Sequence, residues 1–475
     1  MKCSFPLMVA CAFVSLGVAS AADDYQSVPY SAEGSADQYI DGMPIVHQAP
    51  PSPPLPVSQD EQPKRPLGEK EPVSVPPFSD HGQQAVKPVQ PVSVPPVVNK
   101  PVEPPPVPQH VSAAVSAVPT IPGMPPVINA HDIYSEIEGP DKLSPIVKNH
   151  LERVYVPNLR SNTVSVIDPK QMKVVDTLQV GYSPQHVVPS WDLRTLWVTN
   201  NSERRTDGSL TPINPETGKT GPSVTVDDPY NMYFTPDGKD AIVVAEAHRR
   251  LDFRDPHTMA LKGSLKIPAC DGINHAAFSI DGRYAIFTCE FGQYIAKVDT
   301  VNRKLIAMLK LSKGGMPQDV LTARDGHKFY VADMMADGVF IIDGDHFREI
   351  GFIPTGIGTH GLYPSRDGSL IYAANRGSHE VHGPRHGAGS VSVISAYTEQ
   401  VVATWPIPGG GSPDMGNVSA DGRTLWLSGR FDDVVYAIDT QNGAVQQIPV
   451  GAEPHGLTVW PQPGRYSVGH TGIMR

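Results

Sequence analysis

One short segment recurs seven times over the last two-thirds of the chain: Pro184-Gln185-His186, Pro229-Tyr230-Asn231, Ile273-Asn274-His275, Pro317-Gln318-Asp319, Thr359-His360-Gly361, Pro413-Asp414-Met415 and Pro454-His455-Gly456. In the first six copies an aspartate follows six or seven residues later, usually as Asp-Gly, and a β-branched or apolar run comes next, as at 195–199, 284–288 and 370–374. Apolar runs punctuated by tight turns read as strands. Counting from Arg153, these runs start 42 to 54 residues apart, a period that suits propeller blades. Third runs ending at Asp168, Asp299, Asp343 and Asp439 extend the pattern. The last copy has an inner strand but no blade after it, whereas Arg153 opens a strand with no inner partner. The expectation is an all-β, seven-bladed propeller over residues 131–475, its first blade completed by the C-terminal strand. Radial closure also protects sheet edges.

The front of the chain reads differently. Met1-Lys2, the apolar stretch from Phe5 to Val18 and Ala19-Ser20-Ala21 form a secretory signal over 1–21, which places the mature protein in the periplasm or outside the cell. No later segment is apolar for long enough to span a bilayer. Cys3 and Cys11 leave with the signal, so Cys270 and Cys289 are expected to pair as a disulfide; thiolate metal ligation is the alternative, without a CxxC spacing to support it. Residues 22–130 are dense in Pro, Ser, Gln and Lys, and read as an extended, disordered arm. That arm is either a plain spacer or a tether to another envelope protein. A formal charge of -11 with no long basic run excludes nucleic acid as a partner.

In a propeller the innermost strands line the central channel, and the turns entering them sit at its mouth. The repeated segment therefore brings His186, Asn231, His275, Asp319, His360, Asp414 and His455 to one axis. Four imidazoles and two carboxylates suit a divalent transition metal, copper or zinc foremost. A second tier follows the second strands at Asn200-Asn201, Glu246, Glu290, Asp333, Asn375-Arg376 and Gly429-Arg430. Glu246 or Glu290 would act there as general base or metal ligand, and Arg376 with Arg430 would clamp a small anion. These residues fit a metal-binding protein, or a metal-dependent hydrolase, lyase or oxidoreductase. The bland alternatives are polar residues that bind water and form inter-blade salt bridges, and a scaffold that recognises a partner through its outer faces. The insertion at 377–389 carries His379, His382 and His386, as metal ligands, a lid or a solvated tip. The tail beyond Trp460, with His470, is expected to fold back across the bottom or the mouth of the ring.

The segment from Arg153 to Asn158 (Arg-Val-Tyr-Val-Pro-Asn), followed by Ser161-Asn-Thr-Val-Ser-Val-Ile-Asp168, resembles the repeat of the YVTN or YncE-like propeller family. Similar strings at 198–201, 373–376 and 389–394 extend the likeness over residues 150 to 460. The resemblance implies the seven-bladed fold and leaves function open. Its broad group includes haem d1-binding propellers, the propeller subunit of quinohaemoprotein amine dehydrogenases and periplasmic metal chaperones. By that resemblance, one of His186, His275, His360 and His455 would ligate haem iron. No Cys-x-x-Cys-His motif supports covalent haem.

Overall fold

The computed structural model describes residues 118–202, 207–383, 387–469, 474 and 475. The expected signal at 1–21, the expected arm up to residue 117, His386 and His470 lie outside the described residues. The described chain forms seven antiparallel sheets, six of four strands and one of five, arranged as consecutive blades. The inner strands of blades 2 to 7 are Pro184–Pro189, Pro229–Phe234, Ile273–Phe278, Pro317–Thr322, Thr359–Pro364 and Pro413–Val418. Blade 1 takes its inner strand, Thr458–Trp460, from the C-terminal end, paired antiparallel with Arg153–Asn158. The ring closes as the unpaired repeat at each end requires. Two short 3-10 helices, Pro140–Lys142 and Pro145–Asn149, are the only helical elements among the described residues.

Burial follows position within a blade. A middle strand such as Ala285–Cys289 is buried throughout because both of its faces meet neighbouring blades, while the outer strand Gln400–Pro406 alternates between exposed and half-buried. The core is therefore divided into clusters between blades: Ile286, Phe329 and Phe340 join blades 4 and 5, and Tyr363, Leu425 and Tyr436 join blades 6 and 7. The Asp-Gly turns require glycine: Gly238, Gly282, Gly326, Gly368 and Gly422 all have φ between 65° and 77°. At Gly326 a Cβ would also lie 2.3 Å from the Ile280 Cβ.

Residues flanking the ring cover the ends of the inner strands remote from the repeated segment. Ile121 and Met124 are buried, and the Ile121 amide donates to the Asp281 carbonyl at 3.0 Å. The buried Tyr134 hydroxyl donates to the Thr322 carbonyl. From the tail, the Val468 carbonyl accepts from the Phe234 amide at 3.2 Å, and Arg475 donates to the carbonyls of Ser279 and Phe278 at 3.1 and 2.8 Å. The described part of the tail thus lies across the bottom of the ring, and the mouth is at the opposite end. Cys270 and Cys289 form a disulfide that joins the loop entering blade 4 to the end of its second strand.

Candidate functional site

Each of the six inner strands from blade 2 to blade 7 loses register with its neighbour at or beside the repeated segment. A bulge adds one residue and redirects side chains, so two consecutive residues reach the axis at different depths. The second residue of the segment forms the upper layer: Gln185, Tyr230, Gln318, His360 and His455 line a cavity of about 100 Å³. The third residue, as His186, Asn231, His275 and Asp319, is fully buried and does not line that cavity. The sequence placed all seven polar residues in one ring; the structure resolves them into two layers. The four imidazoles nevertheless meet, T-shaped in three pairs and tilted in the fourth, with centroid separations of 5.4 Å for His186 and His275, 6.2 Å for His275 and His360, 5.7 Å for His360 and His455, and 4.8 Å for the tilted pair His455 and His186.

In blades 2, 4, 6 and 7 the residue after the second strand reaches the same cavity, its backbone tied to the loop that enters the inner strand of the same blade. The amides of Asn201, Glu290, Arg376 and Arg430 donate to the carbonyls of Ser183, Gly272, Gly358 and Ser412. Asn201, Glu246, Glu290, Arg376 and Arg430 all line the cavity, as the second tier predicts. Asp333 does not; its Oδ1 instead accepts from the amides of Met316, Met335 and Ala336. The insertion contributes Val381 and His382 to the wall. His379 pairs with Asp337 and His382 with Glu453, at 2.8 and 2.7 Å, which straps this loop to neighbouring blades across the mouth.

Charge within the site is organised around Asp414. Its carboxylate accepts from Arg376 Nη2 at 2.7 Å, lies 3.1 Å from His360 Nδ1 and 2.6 Å from His455 Nδ1. Although burial opposes ionisation, Arg376, His360 and His455 hold its pKa well below the usual carboxylate range. Burial drives His360 well below the ordinary imidazole value and His455 down to about 4, favouring the neutral form of each ring against the pull of Asp414. His455 Nε2 lies 3.2 Å from the Tyr230 hydroxyl, giving a continuous Asp414, His455 and Tyr230 chain at the cavity wall. Glu290 accepts from Asn274 and Gln318 at 2.8 and 3.0 Å, while burial raises its pKa against those bonds and the nearby arginines.

The metal expectation can be compared with the donors present. Among the described residues, no three His, Cys, Asp or Glu side chains are arranged to hold a metal ion. Both ring nitrogens of His455 are engaged, and Asp414 is shared by three partners. The Asp319 oxygens accept from the amides of Val320 and Leu362 at 2.9 and 3.0 Å, and burial raises its pKa to about 7. A haem macrocycle would not fit a cavity of about 100 Å³. Tyr230, Gln185 and Gln318 were absent from the sequence-derived site; their signal was the residue preceding each position chosen in blades 2, 3 and 5.

Residues 144–463 match the family model described as YNCE-like beta-propeller. The chain belongs to the YncE-like β-propeller family. Among solved structures, this YncE-like propeller is similar to a putative 6-phosphogluconolactonase from Bacteroides uniformis, at 15% identity and a TM-score of 0.52, covering 65% of this chain and 99% of that one. It is also similar to the dihydro-heme d1 dehydrogenase NirN, at 15% identity and a TM-score of 0.50, covering 65% of this chain and 75% of that one. At these identities the likeness concerns the fold alone. No curated protein sequence matches the YncE-like chain. No helix among its described residues is long and apolar enough to cross a membrane.

Proposed function

We propose that this is an exported propeller that binds a small anionic organic ligand at its channel mouth. The observation that carries the reading is Arg430. It is 3% exposed and lines the cavity, yet its Nε and Nη1 have no hydrogen-bond partner among the described residues. Buried donors left unpaired are costly, and a carboxylate or phosphate oxygen would satisfy them with a charge-assisted bond, while Nη2 is held 3.3 Å from Glu453. Arg376 adds a second guanidinium to the same wall. The chain of Asp414, His455 and Tyr230 would orient the ligand through the Tyr230 hydroxyl and move a proton at that oxygen if the bound ligand reacts. The loop at 377–383 gives the mouth a strap that must yield for a ligand to enter. The N-terminal signal delivers the protein to the periplasm or beyond, with the Pro-rich arm as spacer or tether.

Calorimetric titration of the mature, untagged protein with small carboxylates and inorganic phosphate tests the reading. Binding by at least one of them, lost in Arg430→Met, is expected. A second reading places copper or zinc among the four clustered imidazoles and requires their present hydrogen bonds to rearrange. Near-stoichiometric metal in the purified protein, released by His186→Ala with His275→Ala, would favour it. Protein that binds neither class would overturn both and turn attention to the outer faces and the arm.

A further inference from the structure

The polar groups of the mouth are sorted by sign around the ring. Blades 3 and 4 supply Glu246 and Glu290, and blades 6 and 7 supply Arg376 and Arg430. Between these arcs, blades 2 and 5 supply Gln185 and Gln318. The Oε1 atoms of both glutamines are buried without a hydrogen-bond partner among the described residues, as are Nε and Nη1 of Arg430. The cavity thus has unmet donors on its basic side and unmet acceptors between the arcs. A plain carboxylate answers the first and leaves the second unpaired.

Resting on the anion-binding reading above, we infer that the ligand is a small zwitterionic α-amino acid, its carboxylate on the Arg376 and Arg430 side and its ammonium toward Glu246, Glu290 and the glutamine oxygens. An ammonium carries three donors and no acceptor, which matches the Glu290 carboxylate and the two unmet amide oxygens, whereas a hydroxyl brings a single donor. The bonding around Glu290 agrees: Asn274 Nδ2 and Gln318 Nε2 both donate to it, leaving its two oxygens in the acceptor role of an ionised carboxylate. A neighbouring ammonium would hold that charge in place against burial. At about 100 Å³ the cavity is well below the range for drug-sized ligands, so glycine, alanine or serine fits and a bulky aromatic side chain does not.

Titration of the mature protein with glycine, L-alanine, L-phenylalanine, lactate and propionate separates the possibilities. L-Alanine or glycine is expected to bind at least about tenfold more tightly than lactate or propionate, since each charge-assisted bond is worth at least that factor. Glu290→Gln should narrow this preference about tenfold, and Glu246→Gln provides a second variant if the first does not fold; Arg430→Met should abolish binding of every carboxylate. Lactate or propionate binding as tightly as alanine would overturn the zwitterion assignment while leaving the anion site standing. Binding by none of the five would overturn the assignment, and titration with phosphate would then decide whether the anion site survives.

Discussion

His455 makes the buried site sensitive to acid, and the size of that effect follows from its surroundings. Burial, reinforced by Arg430, pushes the imidazole pKa from 6.5 down to about 4, with Asp414 pulling the other way. In the unfolded chain the same ring titrates near its ordinary value of about 6.5. Between the two values the unfolded chain binds a proton that the folded chain refuses, so the stability tied to neutral His455 is present above pH 6.5 and is lost as pH falls toward 4. That gap amounts to about 3 kcal/mol in full, of which about 2 kcal/mol is lost between pH 7 and pH 4.5. Asp319 acts in the opposite sense: burial raises its pKa to about 7, so its contribution is present at low pH and disappears as pH rises through that value. Both the unaltered protein and His455→Gln retain Asp319, and the comparison cancels it. Guanidinium unfolding at the two pH values should show the unaltered protein losing about 2 kcal/mol more than the variant on acidification. Equal losses, or an NMR titration that places His455 near 6.5, would refute the argument that burial keeps this ring neutral.

The two arginines should respond to the same change by different amounts. Arg376→Met leaves the fully buried Asp414 without its guanidinium and should lower stability by about 3 to 5 kcal/mol, whereas Arg430→Met removes unmet donors together with a longer ion pair to Glu453 at 3.3 Å, and should cost clearly less in thermal melts while losing the ligand. Replacing Cys270 and Cys289 by Ser should cost about 3 kcal/mol by calorimetry, the chain-entropy value for a loop of this length, and should remove the sensitivity of melting to reductant. Truncation after Arg465 removes the tail's bonds to Phe234, Phe278 and Ser279; the melting temperature should fall while ligand affinity at the opposite end stays within about twofold in calorimetric titration.

The number of blades was legible because every copy of the repeated segment has to supply an inner strand, and the missing partner of Arg153 showed where the ring closes. The sorting of charge at the mouth was legible for a related reason. Glu246, Glu290, Arg376 and Arg430 all follow a second strand directly and line the cavity, and the last three share the same backbone tie. Depth along the axis was not legible, because ideal alternation sends only every second residue to one face, and the bulges break that rule where the site is built. Choosing the most chemically active residue of each copy therefore mixed two layers. Alignment on Pro184, Pro229, Ile273, Pro317, Thr359, Pro413 and Pro454 instead puts Gln185, Tyr230, Asn274, Gln318, His360, Asp414 and His455 in one tier and leaves Gly361 and Gly456 in the other. The lower layer needs those glycines: a Cβ at Gly456 would stand 1.8 Å from His186 Nδ1, and one at Gly361 would stand 2.3 Å from the Tyr363 hydroxyl. Small residues in blades 6 and 1 thus make room for the lower imidazoles and tyrosines that support the cavity floor. The two histidine pairs consequently occupy different layers, with His360 and His455 lining the cavity and His186 and His275 buried against their rings.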